Sequence, residues 1–274
     1  MNLEILPTRT RGAAENMATD FLLLQRYPRA ATPRFRHYGW HCPAFTFGYS
    51  QKFSFIQTQL PSFAKASAVA EAMADKSEGR PPGERFDLCR RATGGGLVDH
   101  RDDWNYALVI PRGHLLEELR ATQSYREIHE ALAAALRAQG VPAATKQSGV
   151  ERVDPNALSS KPAPWGQVAP PSGGPAGVCF QRAEIYDVVH ERTGEKIAGA
   201  AQKRNKQGLL FQGSLWRPAA GGAVDWEEFY DDFIALLAKA LGGTAEATPW
   251  PDLNEDELSA LVEHYSTPEW NEFR

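Results

Sequence analysis

The sequence predicts an α+β fold, a mixed and largely antiparallel sheet flanked by helices. Three observations carry this. Short runs rich in aromatic and β-branched residues, each bounded by turn residues, occur in both halves of the chain. Residues 184–216 hold three such runs in succession, joined by Thr193-Gly194 and by Asn205 to Gly208, chemistry suited to tight antiparallel connections. Helical periodicity is confined to a few separate segments and does not alternate regularly with the strands.

Taken in order, Met17, Phe21 and Leu24 recur at helical spacing in Ala14 to Tyr27, and Pro28 closes that helix. Arg34 to Tyr38 and Ala44 to Tyr49 read as strands separated by a turn at Pro43. Phe86 to Arg91 is another short strand, and Trp104 to Ile110 is β-prone and stopped by Pro111. A second helix spans Leu115 to Gln139, with Tyr125, Ile128, Leu132 and Leu136 as its apolar stripe and Gly140 as its C′ residue. Glu184 to Glu191, Glu195 to Lys203 and Leu209 to Trp216 are the consecutive strands. A third helix, Trp226 to Leu241, starts at the N-cap Asp225 with Glu228 three residues on, and Asn254 with Glu257 repeats that signal before a last short helix. Gln57 to Glu84 and Val153 to Gly177 are too polar or too interrupted to build core and read as surface insertions or mobile loops (57–85 and 153–177).

The 274 residues suffice for a sizeable core without staples. A net charge of −4 argues against a sequence-independent nucleic-acid binder, which needs a strong positive balance. No apolar run approaches a membrane span, and Met1 to Arg11 lacks an apolar signal core. The three cysteines, Cys42, Cys89 and Cys179, form no CxxC pair. This excludes a disulfide framework or thiolate zinc site and fits a reducing cytoplasm. The histidines show no metal-ligand spacing, so no protein-bound metal is expected.

Three segments carry chemistry. In Arg90-Arg91-Ala92-Thr93-Gly94-Gly95-Gly96-Leu97-Val98-Asp99-His100, the glycines bring backbone N–H groups close to a ligand, while two arginines add fixed charge. A bare triple glycine is more often a surface turn; the whole string reads as an anion and acyl-chain cradle, without the Lys-Ser/Thr of a Walker A loop. In Glu195-Lys196-Ile197-Ala198-Gly199-Ala200-Ala201-Gln202, one lysine heads a strand of small residues. Alternation places Lys196, Ala198, Ala200 and Gln202 on one face and leaves space over the lysine. An exposed hairpin lysine is the plainer reading. In Gly177-Val178-Cys179-Phe180, a thiol follows a loop and precedes a strand, and thiolate chemistry there needs a nearby positive group. A free cysteine is usually a small buried hydrophobe, and Cys42 and Cys89 are assigned to that role. Lys203, Arg204 and Lys206 make a small basic turn, read as a solvated hairpin tip, with docking of a protein partner as the second reading.

Together these segments resemble the lipoate–protein ligase and octanoyltransferase family, whose catalytic domain is related to biotin–protein ligase. Asn16-Met17-Ala18-Thr19-Asp20 looks like the family's N-terminal helix motif, and Tyr38-Gly39-Trp40 through Phe47-Gly48-Tyr49 like its first strands. Arg90 to His100 resembles RRxTGGGxVxH, Asn105-Tyr106 the segment after it, Lys196 to Gln202 KIxGxAQ, and Gln212-Gly213-Ser214-Leu215 the HQGSI strand. The resemblance implies one catalytic domain over 1–274 that passes an octanoyl or lipoyl group to a lysine of a lipoyl domain, in 2-oxoacid dehydrogenases or the glycine cleavage H protein. It implies that Lys196 holds the acyl carbonyl or an activated carboxyl group by charge and hydrogen bonding. Arg90, Arg91, Thr93, Gly94, Gly95, Gly96, Leu97, Val98, Asp99, His100, Asn105, Ala198, Gly199 and Ala200 would surround the substrate.

Two chemistries stay open within the family. A transferase takes octanoyl from acyl carrier protein without a cofactor, and the LipM-like branch uses a cysteine as acyl carrier. Val178-Cys179-Phe180, 17 residues before the lysine, resembles that branch's GVCF. A ligase instead activates lipoate with ATP and magnesium through lipoyl-AMP. Gly96 and the Asn105 context look more ligase-like. Arg101 follows His100 where an acid is usual, with Asp102 or Asp103 as substitutes, and Gln212 replaces a histidine. The cysteine-dependent transferase is the favoured reading. An inactive acyl-binding member is the third alternative, and the presence of both Lys196 and Cys179 argues against it.

Overall fold

The computed structural model describes residues 2–27, 32–60, 86–147 and 182–274. Eleven strands and five helices of seven residues or more are described. The strands are β1 (Asn2–Arg11), β2 (Arg34–Trp40), β3 (Ala44–Phe47), β4 (Asp87–Arg90), β5 (Val98–Asp99), β6 (Asp103–Pro111), β7 (Ala143–Thr145), β8 (Val188–His190), β9 (Lys196–Asn205), β10 (Gly208–Trp216) and β11 (Thr244–Ala247). The helices are α1 (Ala13–Arg26), α2 (Phe53–Gln59), α3 (Ala121–Ala138), α4 (Trp226–Ala240) and α5 (Glu255–Ser266).

Eight strands form one sheet in the order β11-β1-β2-β6-β10-β9-β8-β7. The β11, β1 and β2 strands run parallel, and every other pairing is antiparallel. The expected mixed, largely antiparallel sheet is therefore present. Three strands leave it: β4-β3-β5 form a separate small sheet, with β3 parallel to β4.

Alternation along β2, β6 and β10 sends Phe35, Tyr106, Leu108, Leu209 and Phe211 to one face, where α3 and α4 cover them with Ile128, Leu132, Leu136, Phe229, Phe233 and Leu237. Each such apolar side chain contributes roughly 2 kcal/mol by leaving water. Tyr38, Ala107, Val109 and Leu210 point to the other face, against Met17, Leu23 and Leu24 of α1 and Tyr265 of α5. The small sheet packs Phe45, Phe47 and Leu97 on Phe53 and Ile56 of α2.

Several boundaries differ from the sequence expectation. Residues 2–11 are a strand, and Pro7 sits where the β1–β2 register slips between Leu6 and Arg9, a place where a missing N–H costs little. The helix expected over 115–139 is two pieces, Leu115–Glu118 and Ala121–Ala138. Arg120 is extended at ψ 150, and its N–H is taken by the Gln123 side chain at 3.3 Å, which starts a new helix. The strand expected over 184–191 shrinks to Val188–His190, because Asp187 Oδ2 accepts the Glu184 N–H at 2.7 Å and curls the chain into a turn. Residues 57–60, expected to open an insertion, continue α2 or its final turn. The remainder of that expected insertion, all of 153–177, and Gly177 to Phe180 with Cys179 lie outside the described residues. The expected caps are in place: Asp225 accepts from Glu227 and Glu228 N–H at 3.0 and 3.1 Å, and Asn254 from Glu257 N–H at 2.9 Å.

Candidate active site

The small sheet stands against the α1 face of the large one, and a narrow cleft lies between them. Its wall includes Met17 of α1, Tyr38, Arg91, Gly95, His100, Asn105, Gly199, Ala201, Gln212 and Ser214. Five of the expected substrate residues in the 90–105 region line it: Arg91, Gly95, Val98, His100 and Asn105.

Arg91 turns its guanidinium inward onto its own loop. Nη2 donates to the carbonyls of Gly94 and Gly96, both at 2.9 Å, and Nη1 donates to Thr46 Oγ1 at 2.7 Å. Gly95 adopts φ +86, and a side chain there would meet Arg91 Nη2 at 3.1 Å. Gly48 completes the fit, since a Cβ on it would lie 2.0 Å from the Gly95 carbonyl oxygen. The glycine loop is thus moulded by an arginine from within and by the β3 strand end from behind.

His100 joins the two sheets. Its Nε2 lies 2.6 Å from Thr46 Oγ1 and its Nδ1 2.6 Å from Asp103 Oδ2, and the ring centre is 4.3 Å from that of Trp40. Asp103, one of the two acids offered from the sequence, also accepts from Ser214 Oγ at 2.5 Å and from Asn105 Nδ2 at 2.6 Å. With the amide nitrogen so fixed, Asn105 Oδ1 is left a buried acceptor without a partner among the described residues, on a side chain that lines the cleft. Thr93, at the start of the glycine run, donates to Gln212 Oε1 at 2.7 Å, and Gln212 Nε2 donates to Asp20 Oδ2 at 2.7 Å. Asp20 is also paired with Arg36 at 2.6 Å. Burial pushes the Asp20 carboxyl up from its ordinary value, against the pull of Arg36 and the Gln212 amide.

The lysine strand departs from simple alternation. Val188 pairs with Ala198 but Val189 pairs with Lys196, so β9 holds one extra residue, a bulge at Ile197. The bulge carries Lys196 to the opposite face from Ala198 and Ala200, both of which pack into the α3–α4 core. The expected shared face of Lys196, Ala198 and Ala200 is therefore corrected. It is Gly199 that makes room, since a Cβ there would lie 2.5 Å from Lys196 Nζ. Gly199, Ala200 and Ala201 line the cleft here, and Lys196, only 7% exposed, lies behind Gly199 and is not itself on the cleft surface. Its Nζ pairs with Asp187 Oδ2 at 2.7 Å. Asp187 Oδ1 accepts from the Tyr125 hydroxyl at 2.5 Å, and that hydroxyl oxygen accepts the Ala200 N–H at 2.8 Å. Asp187 and Tyr125 had no distinguishing signal in the sequence beyond an acid and an aromatic in ordinary surroundings.

Other expected residues fall elsewhere. Arg90 is fully buried and points away from the cleft, donating to the carbonyls of Tyr49, Gln51, Trp270 and Asn271 at 2.7–3.1 Å. It ties the C-terminal segment to the small sheet. Asp99 pairs with Arg101 at the surface. Leu97 packs in the small core with Phe45 and Phe47. A Cβ on Gly94 would face open space. The Cys89 thiol is pushed up by burial, and the Cys42 thiol is pushed up to about 11 by burial and by Asp87. Both stay protonated at neutral pH; Cys89 packs in the core as expected, whereas Cys42 is only half-buried, outside the core clusters and beside Asp87, so the buried packing role expected for it is corrected. No group of three or more potential metal ligands occurs among the described residues, and none of the described helices is long and apolar enough to cross a membrane.

A sequence profile of the lipoyl protein ligase A/B catalytic domain matches residues 12–219. An octanoyltransferase LipM of Symbiobacterium thermophilum is 31% identical, with 98% of each chain covered. An octanoyltransferase LipM of Macrococcus caseolyticus is 28% identical over 80% of this chain and 65% of its own length. Among solved structures, a putative lipoate protein ligase of Thermoplasma acidophilum with bound lipoic acid superposes with a TM-score of 0.67 at 18% identity, covering all of both chains. A lipoate-protein ligase A bound with ATP gives 0.64, also at 18% identity, over 99% of both chains, a likeness of fold. With a profile match over most of its length and a full-length relative above 30% identity, the chain belongs to the lipoyl protein ligase A/B catalytic-domain family, in its octanoyltransferase LipM group.

Proposed function

We propose that this chain is a single catalytic domain that transfers an octanoyl group from a thioester donor, acyl carrier protein, to the acceptor lysine of a lipoyl domain, with Cys179 as covalent carrier. The observation that carries the reading is the Lys196 ammonium, held buried by Asp187 against the bare backbone of Gly199 at the cleft wall. A fixed positive charge in a site sheltered from water stabilises the oxyanion that forms when a thiolate or an amine adds to an acyl carbonyl.

The balance of the reaction is simple. The Cys179 thiolate adds to the octanoyl carbonyl, the C–S bond to the donor breaks, and the donor thiol leaves with the proton that Cys179 gave up. The neutral amine of the acceptor lysine then adds to the acyl-enzyme, an amide forms, and the cysteine thiol is released. Nucleophilic catalysis replaces one hard step by two easier ones, and a thioester exchanged for a thioester is close to neutral in energy. Neither step needs a nucleotide or a metal. Arg91, Gly95, Val98 and His100 shape the acyl side of the cleft in this reading. In this reading the buried Asn105 Oδ1, which has no partner among the described residues, would accept an N–H from the incoming lysine. The test incubates the chain and a lipoyl domain with octanoyl–acyl carrier protein, and separately with lipoate plus ATP. Octanoylation of the lipoyl domain without ATP is expected. Modification only with lipoate and ATP would make the chain a ligase.

A further inference from the structure

Four strands set a row of residues across the floor of the cleft. Tyr38 of β2 pairs with Asn105 of β6, Asn105 with Ser214 of β10, and Ser214 with Gly199 of β9. All four line the cleft. At about 4.8 Å per strand, Ser214 stands about 5 Å from Gly199 and Asn105 about 10 Å from it. Asp103, whose side chain is closed to solvent, ties the middle of the row together. Its Oδ1 takes Asn105 Nδ2 at 2.6 Å, and its Oδ2 takes Ser214 Oγ at 2.5 Å and His100 Nδ1 at 2.6 Å. A carboxylate only accepts, so each of these neighbours turns a proton to it. For Ser214 that is its one hydroxyl proton, and what it then offers the cleft is lone pairs. For Asn105 the bond fixes the amide with its nitrogen towards Asp103. Its Oδ1, on a residue 2% exposed, is left without a donor among the described residues.

We infer that Asn105 and Ser214, backed by Asp103, form the subsite for the ammonium of the acceptor lysine, and that Asp103 takes its proton through Ser214, an inference that rests on the lipoyl-domain acceptor read above. An ammonium has three donors, no acceptor and a positive charge, which matches two acceptors in front of a buried carboxylate. A phosphate, a carboxylate or a carbonyl oxygen meets the wrong polarity there. The ammonium must lose a proton before it can attack. One N–H bonds to Asn105 Oδ1 and another to Ser214 Oγ; the latter proton passes to Ser214 as the serine's own moves to Asp103 Oδ2. In a site closed to water the neutral acid and amine lie close in energy to the ion pair, because both charges have lost their hydration. The free amine, one strand from Gly199, adds to the acyl carbon, so a C–N bond forms and the C–S bond to Cys179 breaks. The sulfur takes a second proton from the nitrogen, and Asp103 gives the first to water as the product leaves. The cationic acceptor thus becomes a neutral amide, Cys179 a thiol, and one proton is released. Ser214 touches the substrate in this scheme, and Asp103 is a positioning residue that acts through it.

The test reads the two half-reactions separately. Wild type, Ser214→Ala and Ser214→Thr are charged with octanoyl–acyl carrier protein and then mixed with saturating lipoyl domain. Ser214→Ala is expected to charge at the wild-type rate and to discharge about a hundredfold more slowly, and Ser214→Thr, which keeps the hydroxyl, to recover most of that loss. Equal slowing of both halves, or an unchanged discharge, would overturn the relay. The ammonium subsite is tested without turnover, by fluorescence anisotropy of an unmodified lipoyl domain and of the same domain with its acceptor lysine changed to methionine. Wild type should bind the lysine form about tenfold more tightly, and Asp103→Asn should bind both forms alike. Asn105→Ala, which leaves Asp103 in place, should lose the same preference and serves if Asp103→Asn folds poorly. That pattern supports the subsite even if no octanoyl is carried on Cys179. Equal binding of the two forms by wild type, or a preference that survives in the folded variants, refutes it even if transfer proceeds.

Discussion

A methyl group added at Gly199 is aimed at the Lys196 side chain, and the structure sets the size of the collision. The new Cβ would stand 2.5 Å from Nζ, 2.6 Å from Cε and 3.1 Å from Asp187 Oδ1. Ordinary contact between such atoms is about 3.5 Å. The ammonium must therefore retreat by about 1 Å in Gly199→Ala. Because the obstructing atoms are the end of a flexible side chain, the fold yields cheaply, at about 1 kcal/mol and a fall in Tm of roughly 3 °C. The reaction does not yield cheaply. A reacting group misplaced by about 1 Å costs about a hundredfold in rate. The assay is single-turnover octanoyl transfer to a lipoyl domain alongside a thermal melt. A variant that melts within a few degrees of wild type and loses about two orders of magnitude in rate is expected. A folded Gly199→Ala enzyme with wild-type rate would refute the placement of Lys196 against the cleft wall.

Two further outcomes follow from buried groups. His129 is fully buried, its Nδ1 donates to the Tyr186 carbonyl at 2.8 Å, and burial pushes its pKa down from 6.5 to about 4. Between those values the unfolded chain binds a proton that the folded chain refuses, so stability falls as pH drops from 6.5 to 4, by up to about 3 kcal/mol. Urea midpoints at pH 7 and pH 4.5 should show this fall in wild type and a smaller one in His129→Gln; equal falls in both would refute it. Arg90→Ala removes the donor to four backbone carbonyls. A loss of about 3–5 kcal/mol is expected, with early proteolysis within residues 266–274; an unchanged melt would remove Arg90 from this clamping role.

The elements that pack by periodicity were legible in the sequence. The apolar stripes of α1, α3 and α4, the β9–β10 hairpin with its Asn205 to Gly208 turn, and the N-caps at Asp225 and Asn254 all follow from local chemistry and appear where it puts them. The region of the site was legible as well, because the arginine–glycine string and the lysine strand are unusual as strings. What was not legible depends on long-range pairing. The bulge at Ile197 reverses which small residues face the lysine, and it exists only through the register of β8 against β9. The Asp187–Tyr125 support of Lys196 joins residues 62 apart in sequence, one of them in a turn that the pattern reads as strand. The two arginines of the string look alike in sequence. Only the fold sends Arg91 into the glycine loop and Arg90 into the C-terminal segment. The split of β3, β4 and β5 into their own sheet, which creates the cleft, is likewise a tertiary fact.

The central claim is that the acyl group rests on Cys179 between donor and acceptor, and intact mass spectrometry of the enzyme tests it most directly. After incubation with octanoyl–acyl carrier protein, without ATP and without a lipoyl domain, wild type should gain the mass of one octanoyl group. That adduct should be released by hydroxylamine, discharged by adding a lipoyl domain, and absent from Cys179→Ser. An unmodified wild-type enzyme under conditions where the lipoyl domain becomes octanoylated, or a Cys179→Ser variant that transfers octanoyl at the wild-type rate, would contradict the account.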